Sequence, residues 1–423
     1  MAPHIQTVNT QCCDNHHYQQ PIPRTIPPCT RQHSETPDTP EEETERNPKK
    51  RHFDEITDAL AGNNKKQKTC SQLDVIRRQS RSLLRFAGFF IDIESIITNG
   101  IHLAEDGSQD VELDEEVKDM MPDERDAIVT QYKKIVQLIP SIKEDAQFYR
   151  EDPDALCDII RYIQKHAADG RSDDLGTLKP KVLGYLPAKA PSAPPFESLT
   201  LSKGERGWAH HQTARLLCPH SLLDEFDIDP NSFISDVENA KIAITADNYP
   251  VFLYSDEAQY NPNDIEKNLL RGSYLLAVFR CLFTGPRTAT RKTSGPSGGG
   301  RPSKAKIYKM TKVTPESIAY AAVLARFSIC GQDSWEPQDG MFSLPDFYQA
   351  IMDLFDDPTD PWYIDALAWW NKQVFGYDRP SGNTEAQNVI GSSPSSKSHL
   401  QQQRAARRAA AAIAPSSPDN IPS

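Results

Sequence analysis

Apolar positions recur every three or four residues through the middle of this chain, the spacing of one helical face. Over residues 73–103 the series is Leu73, Ile76, Leu83, Leu84, Phe86, Phe89, Phe90, Ile93, Ile96 and Ile97, which predicts a helix. A second helix is predicted over residues 123–139, with Ile128, Tyr132, Ile135, Val136 and Ile139 as its apolar stripe. Pro122 suits its first turn, where a missing N–H costs nothing, and Asp123, Glu124 and Asp126 suit the positive end of its dipole. A third is predicted over residues 153–166. Its inward face is Leu156, Ile159, Ile160 and Ile163, Asp152 is its N-cap, and Gly170 lies past its end.

The pattern then lapses. Residues 167–200 contain Pro180, Pro187, Pro191, Pro194 and Pro195, and read as a proline-rich linker that no long helix crosses. Helical spacing returns after Trp208. Its strongest stretch is residues 263–283, apolar over more than one face, as expected of a helix central in its core. Gly285-Pro286 stops it. Thr314 then caps a new helix with Pro315 in its first turn, followed by small apolar residues up to Cys330. Residues 344–355 and 361–375 complete the body. One short strand is expected between Ala243 and Tyr254, weakened by Pro250.

Composition narrows this picture. The chain has 423 residues, 33 of them proline, and 38% are hydrophobic, below the roughly 45–50% of ordinary globular chains. The expectation is an all-α, irregular, bundle-like domain over residues 71–378, between disordered tails at 1–70 and 379–423, with a disordered basic loop at 286–312. Residues 401–413 have enough alanine and glutamine for a frayed helix. No stretch of about 18 uncharged apolar residues exists, and the nearest, residues 273–283, carries Arg280, so no membrane partner is expected. Eight cysteines are scattered without a C-x-x-C. The opening residues are polar, so a reducing intracellular setting is the expectation.

The formal charge is −12, against a general binder of polyanions, but the sign is segregated. Between Gly285 and Val313 the only charged side chains are Arg287, Arg291, Lys292, Arg301, Lys304, Lys306, Lys309 and Lys312. An exposed basic segment contacts phosphates without reading sequence, so Arg287, Arg291, Lys292, Arg301, Lys304 and Lys306 are candidate nucleic-acid contacts. Gly300-Arg301-Pro302 partly matches a minor-groove hook, which has a second arginine where this chain has Gly299. Near the start, Lys49, Lys50 and Arg51 are followed at a distance by Lys65, Lys66 and Lys68. Two basic clusters with a spacer have the form of a bipartite nuclear import signal.

Four blocks carry a family resemblance. The first is Gly207-Trp208-Ala209-His210 with Thr213-Ala214-Arg215-Leu216-Leu217-Cys218-Pro219. The second is Leu270-Arg271-Gly272 with Ala277-Val278-Phe279-Arg280 and Phe283-Thr284-Gly285-Pro286. Val313-Thr314-Pro315 with Ile318-Ala319-Tyr320-Ala321 is the third, and Phe347-Tyr348 with Trp369-Trp370-Asn371 and Val374-Phe375 the last. Together they resemble an uncharacterised family of mushroom-forming fungi, a domain of unknown function, over residues 128–375. The resemblance implies a mostly helical protein and carries over no catalytic residue.

His210, His211, Cys218 and His220 are the one His/Cys cluster in the expected fold, and imidazole with thiolate is a zinc donor set. Their spacing matches no standard finger and no H-E-x-x-H site, so the expectation is no metal and no cofactor. Gly298-Gly299-Gly300-Arg301 lacks the Lys-Ser/Thr ending of a phosphate loop. Trp369 and Trp370 point about 100° apart on a helix, which suits core packing. The sequence therefore predicts a non-enzymatic nuclear interaction protein with an unidentified protein partner. DNA association through the basic loop and tails is the first alternative, and a metal-dependent enzyme at the His/Cys cluster the second. Use in the cytoplasm follows if the import signal is idle.

Overall fold

A computed structural model describes residues 48–61, 71–103, 120–187, 201–291, 302–376, 400 and 403–406. All belong to one unit, residues 47–423. Among the described residues the regular structure is helical, apart from one antiparallel ribbon pairing Gln338–Asp339 with Phe342–Ser343. The expected all-α class is the observed one.

The helix Pro315–Ile329 runs through the centre, with every residue from Ser317 to Ile329 buried. It packs on Ser273–Phe283, Leu344–Met352 and Leu83–Phe86. Small residues, Ala319, Ala321, Ala322 and Ala325, let these neighbours come close. Its start is closed reciprocally: Thr314 Oγ1 accepts from the Ser317 N–H at 3.3 Å, and Ser317 Oγ accepts from the Thr314 N–H at 3.0 Å. Its C-terminal end is closed by cations. Lys203 Nζ donates to the carbonyl oxygens of Phe327 and of Cys330 (2.8 Å), and Arg206 donates to that of Ser328 (2.8 Å). Positive charge there complements the dipole and satisfies carbonyls that have no helical partner. Burial lowers the pKa of both cations.

The stretch 73–103 is three helices rather than one: Ser71–Ser80, Leu83–Phe86 and Ile93–Leu103. The chain turns at Gly88, whose φ is +158°. The turn lets Phe89 pack against both Phe90 and Tyr320, at ring distances of 4.7 and 4.8 Å. The second expected helix is Pro122–Leu138, begun at Pro122 as predicted. The third begins where expected, with Asp152 accepting from the Ala155 N–H at 3.0 Å. It does not stop at His166 but runs to Leu178, so the linker begins later than residue 167. Leu175, Leu178, Val182 and Leu183 are buried and hold this extension on the core. Gly170 is therefore not a stop. A Cβ there would lie 2.3 Å from the Arg81 carbonyl oxygen, so glycine permits a close crossing of two backbones.

The central apolar helix starts at Ser273 rather than at residue 263. Asn268 and Leu270 have φ of 63° and 59°, in the left-handed region that interrupts a helix. The strand expected near Tyr254 is replaced by a 3-10 turn, Val251–Leu253, between two isolated bridges, Pro219 with Pro250 and Tyr254 with Leu269.

Both expected tails lose part of their length to the fold. Pro48–Leu60 is a helix. Phe53 and Ile56 are buried, and Phe53 packs on Phe148 and Tyr149 at 5.3 and 5.2 Å. At the other end, Leu400 and Arg404 are buried on the body. The apolar pair Phe53 and Ile56, three residues apart, was the signal in the first case. In the second, residues 403–406 are helical inside the stretch 401–413 expected as a frayed helix.

Candidate functional site

The basic segment divides on folding. Arg287 follows Pro286 in a 3-10 turn, Pro286–Thr288, and Lys304 and Lys306 lie in the short helix Lys304–Ile307. Both elements pack on Ser273–Phe283. Arg287, Arg291, Lys306, Lys309 and Lys312 are exposed, and none forms an ion pair with a described residue. Ile307 among them is 48% exposed. Lys292 and Arg301 lie outside the described residues.

Two cations of the region turn inward. Arg280 donates to the Arg291 carbonyl oxygen at 2.7 Å and to that of Gln373 at 2.6 Å, fixing the start of the basic segment. Lys304 gives its ammonium to Asp174, which is 0% exposed. Lys304 therefore leaves the set of surface contacts: its charge is consumed internally, where burial makes an unpaired carboxylate far costlier than at a surface.

Asp174 is a hub that the sequence did not reveal. One carboxylate oxygen accepts from Arg85 Nε at 2.6 Å and from the Tyr320 hydroxyl at 2.7 Å, while the other accepts from Lys304. Arg85, 2% exposed, also donates to the carbonyl oxygens of Arg81 and of Gly170 (2.9 Å). Burial alone would raise the Asp174 pKa, but Arg85 and Lys304 overcome it and hold the group below the usual carboxylate range. Burial and the adjacent carboxylate both push the Tyr320 hydroxyl well up. The cluster joins four helices of the fold: Leu83–Phe86, Pro153–Leu178, Lys304–Ile307 and Pro315–Ile329.

The His/Cys cluster is taken apart by its own neighbourhood. His210 is the N-cap of His211–Leu217, its Nδ1 accepting from the Gln212 N–H at 3.2 Å. His211 Nε2 meets Asn231 Oδ1 at 2.9 Å on the surface. Cys218 is wholly buried, and burial pushes its thiol up, away from the thiolate a metal needs. His220 stacks on Tyr254 at 4.0 Å and donates from Nε2 to the Ala258 carbonyl oxygen at 3.2 Å. Burial lowers its pKa and favours the neutral ring. Among the described residues no group of three or more His, Cys, Asp or Glu is placed to hold a metal ion. A cavity beside His220, lined also by Arg215, Tyr254, Asp256 and Tyr274, measures about 50 Å³, the scale of a few waters rather than a metabolite.

Of the first basic cluster, Lys50 and Arg51 are exposed in the first turn of Pro48–Leu60. The Lys49 side chain, and Lys65, Lys66 and Lys68, lie outside the described residues. Trp370 is wholly buried against Phe279 at 4.9 Å, as core packing requires, while Trp369 crosses it at 84°. No helix among the described residues is long and apolar enough to cross a membrane.

A last constellation brings the C-terminal segment to the body. Arg404 Nε meets Glu266 Oε1 at 2.6 Å, and its terminal nitrogens donate to the carbonyl oxygens of Asp353 (3.1 Å) and Leu354 and to Asp356 Oδ1 (3.3 Å). Its guanidinium lies 5.2 Å from the ring centre of Trp362. Trp362 is braced in turn, its indole N–H donating to the Glu266 carbonyl oxygen at 3.1 Å.

Fold and sites together define an all-α domain that spends many buried charges on its own architecture and offers a basic rim to solvent. Residues 165–375 match the model of a family of unknown function, DUF6698, and a domain of that family covers this stretch. The match starts inside the long helix Pro153–Leu178, later than the expected residue 128, and ends at Phe375 as expected. No curated protein and no solved structure matches the chain.

Proposed function

We propose that this is a non-enzymatic interaction protein of the nucleus, of a family restricted to mushroom-forming fungi, whose basic rim meets an anionic partner. One observation carries the reading. Arg287, Arg291, Lys306, Lys309 and Lys312 stand exposed, without carboxylate partners among the described residues, on a chain whose formal charge is −12. Arg280 and the Lys304–Asp174 pair anchor the segments that carry them, so the rim is held in place before any partner arrives. Preorganised charge lowers the ordering cost of binding.

The exposure of five cations also favours DNA as the anionic partner, since such a rim contacts phosphates whatever the base sequence. Full-length protein titrated with fluorescent duplex DNA between about 50 and 200 mM salt should bind more weakly as salt rises, because each neutralised phosphate releases counterion. Changing all five cations to glutamine should remove most of that binding and flatten its salt dependence. Equal binding by wild type and variant would end the DNA reading and leave a protein partner with an acidic face. For the nuclear assignment, a fluorescent fusion with Lys49, Lys50, Arg51, Lys65 and Lys66 changed to alanine should move to the cytoplasm. An unchanged distribution would count against import by these clusters.

A further inference from the structure

We infer that the cradle formed by Glu266, Asp353, Leu354, Asp356 and Trp362 is a docking site for an arginine-anchored helical peptide, which Leu400 and residues 403–406 of the same chain occupy as a tethered plug. The site is separate from the basic rim and does not depend on its function.

The occupant has the pattern of a docked helical ligand. Leu400, Gln403 and Arg404 stand at positions i, i+3 and i+4, one face of a helix. Leu400 and Arg404 are 3% and 4% exposed, whereas Ala405 and Ala406, on the other side of the turn, are exposed. A few deeply buried anchors beside near-neutral positions is how peptide interfaces distribute their binding energy. Gln403 adds two bonds: its amide nitrogen donates to the Pro262 carbonyl oxygen at 2.9 Å, and its oxygen accepts from the Ile265 N–H at 3.3 Å.

The receptor side is specific for arginine. Glu266 and Asp356 supply carboxylates, while Asp353 and Leu354 supply carbonyl oxygens near the C-terminal end of Leu344–Met352. One planar guanidinium reaches all four over the Trp362 ring, which the three rotatable donors of a lysine do not reproduce. The plug is joined to the end of Pro361–Phe375 by residues 377–399, a length of chain that reaches at most about 80 Å. Tethering places a ligand at an effective concentration on the order of millimolar when its linker spans the site. A peptide with modest affinity therefore stays seated in cis and is exchanged by a stronger copy of the same motif. The partner that fits is a helix presenting an aliphatic residue, then glutamine and arginine three and four positions on.

The test uses a fluorescent peptide of residues 398–410 and the full-length chain. Wild type, already plugged, should bind it weakly. The variant R404A, with its cradle vacated, should bind it at least about tenfold more tightly, the factor that loss of a tethered competitor yields. A peptide with lysine in place of Arg404 should bind neither. Because R404A removes a charge from a buried pair, a second variant, L400A/Q403A, empties the cradle more gently, and circular dichroism melting shows which of the two is folded. Weak binding of the peptide to every folded variant, or equal binding to wild type and variants, overturns the proposal.

Discussion

Asp174 sits about one turn before the end of the long helix Pro153–Leu178 with no access to solvent, yet it is charged, because Arg85 and Lys304 face it from two other segments. Removing one member of such a set is expensive, since the others stay buried with their charge uncompensated. D174N should therefore destabilise the protein by about 3–5 kcal/mol in urea denaturation. The sign of the pH dependence follows from the lowered pKa. In the unfolded chain the group binds its proton near pH 3.9, before the folded state does, so its contribution is complete above about pH 5 and is lost as pH falls further. Stability curves of wild type and D174N should converge in that acid range. A constant gap between them down to pH 2 would show that Asp174 carries no paired charge.

At the scale of elements, the ends of helices were legible and their continuity was not. Asp152, Pro122, Thr314 and Pro315 were readable as starts because a cap acts within three or four residues. The break at Gly88 and the extension of Pro153–Leu178 past Gly170 depend on partners far away in sequence. Gly170 illustrates the reason. Glycine past a run of helical spacing is ordinarily a stop signal, but here the Arg81 carbonyl comes within 2.3 Å of where a Cβ would be. In an ordinary exposed helix, alanine for glycine gains roughly 1 kcal/mol. G170A should instead cost about 1–3 kcal/mol, the scale of overpacking against neighbours that cannot move. Thermal melting distinguishes the two, and a raised melting temperature would refute the close crossing.

Across the whole molecule, the all-α class, the central apolar helix and the exposed basic residues were all recoverable from composition and period. The hub was not: Asp174 joins Arg85, Lys304 and Tyr320 across 89, 130 and 146 positions, and no local pattern records pairs so distant. Nor did the His/Cys spacing disclose that His210, His211, Cys218 and His220 each serve a different neighbour. Global cooperativity has a direct readout in the thiols. Cys157 is exposed, while Cys218, Cys281 and Cys330 are buried in the core. Alkylation followed by peptide mapping should label Cys157 in the native protein and the other three only as the body unfolds, all at one rate. Earlier labelling of Cys218 alone would show that the His220 region opens separately.

The anchoring of the basic segment at both ends bears on how this chain tolerates change in length. Arg280 holds the Arg291 carbonyl, and the Lys304 ammonium is sealed against Asp174, so the chain is fixed on both sides of the interval 292–301. For a loop closed in this way, doubling its length adds only about 0.6 kcal/mol of closure entropy. A change of length within 292–301 should therefore cost the fold little, because the anchors on either side stay in place.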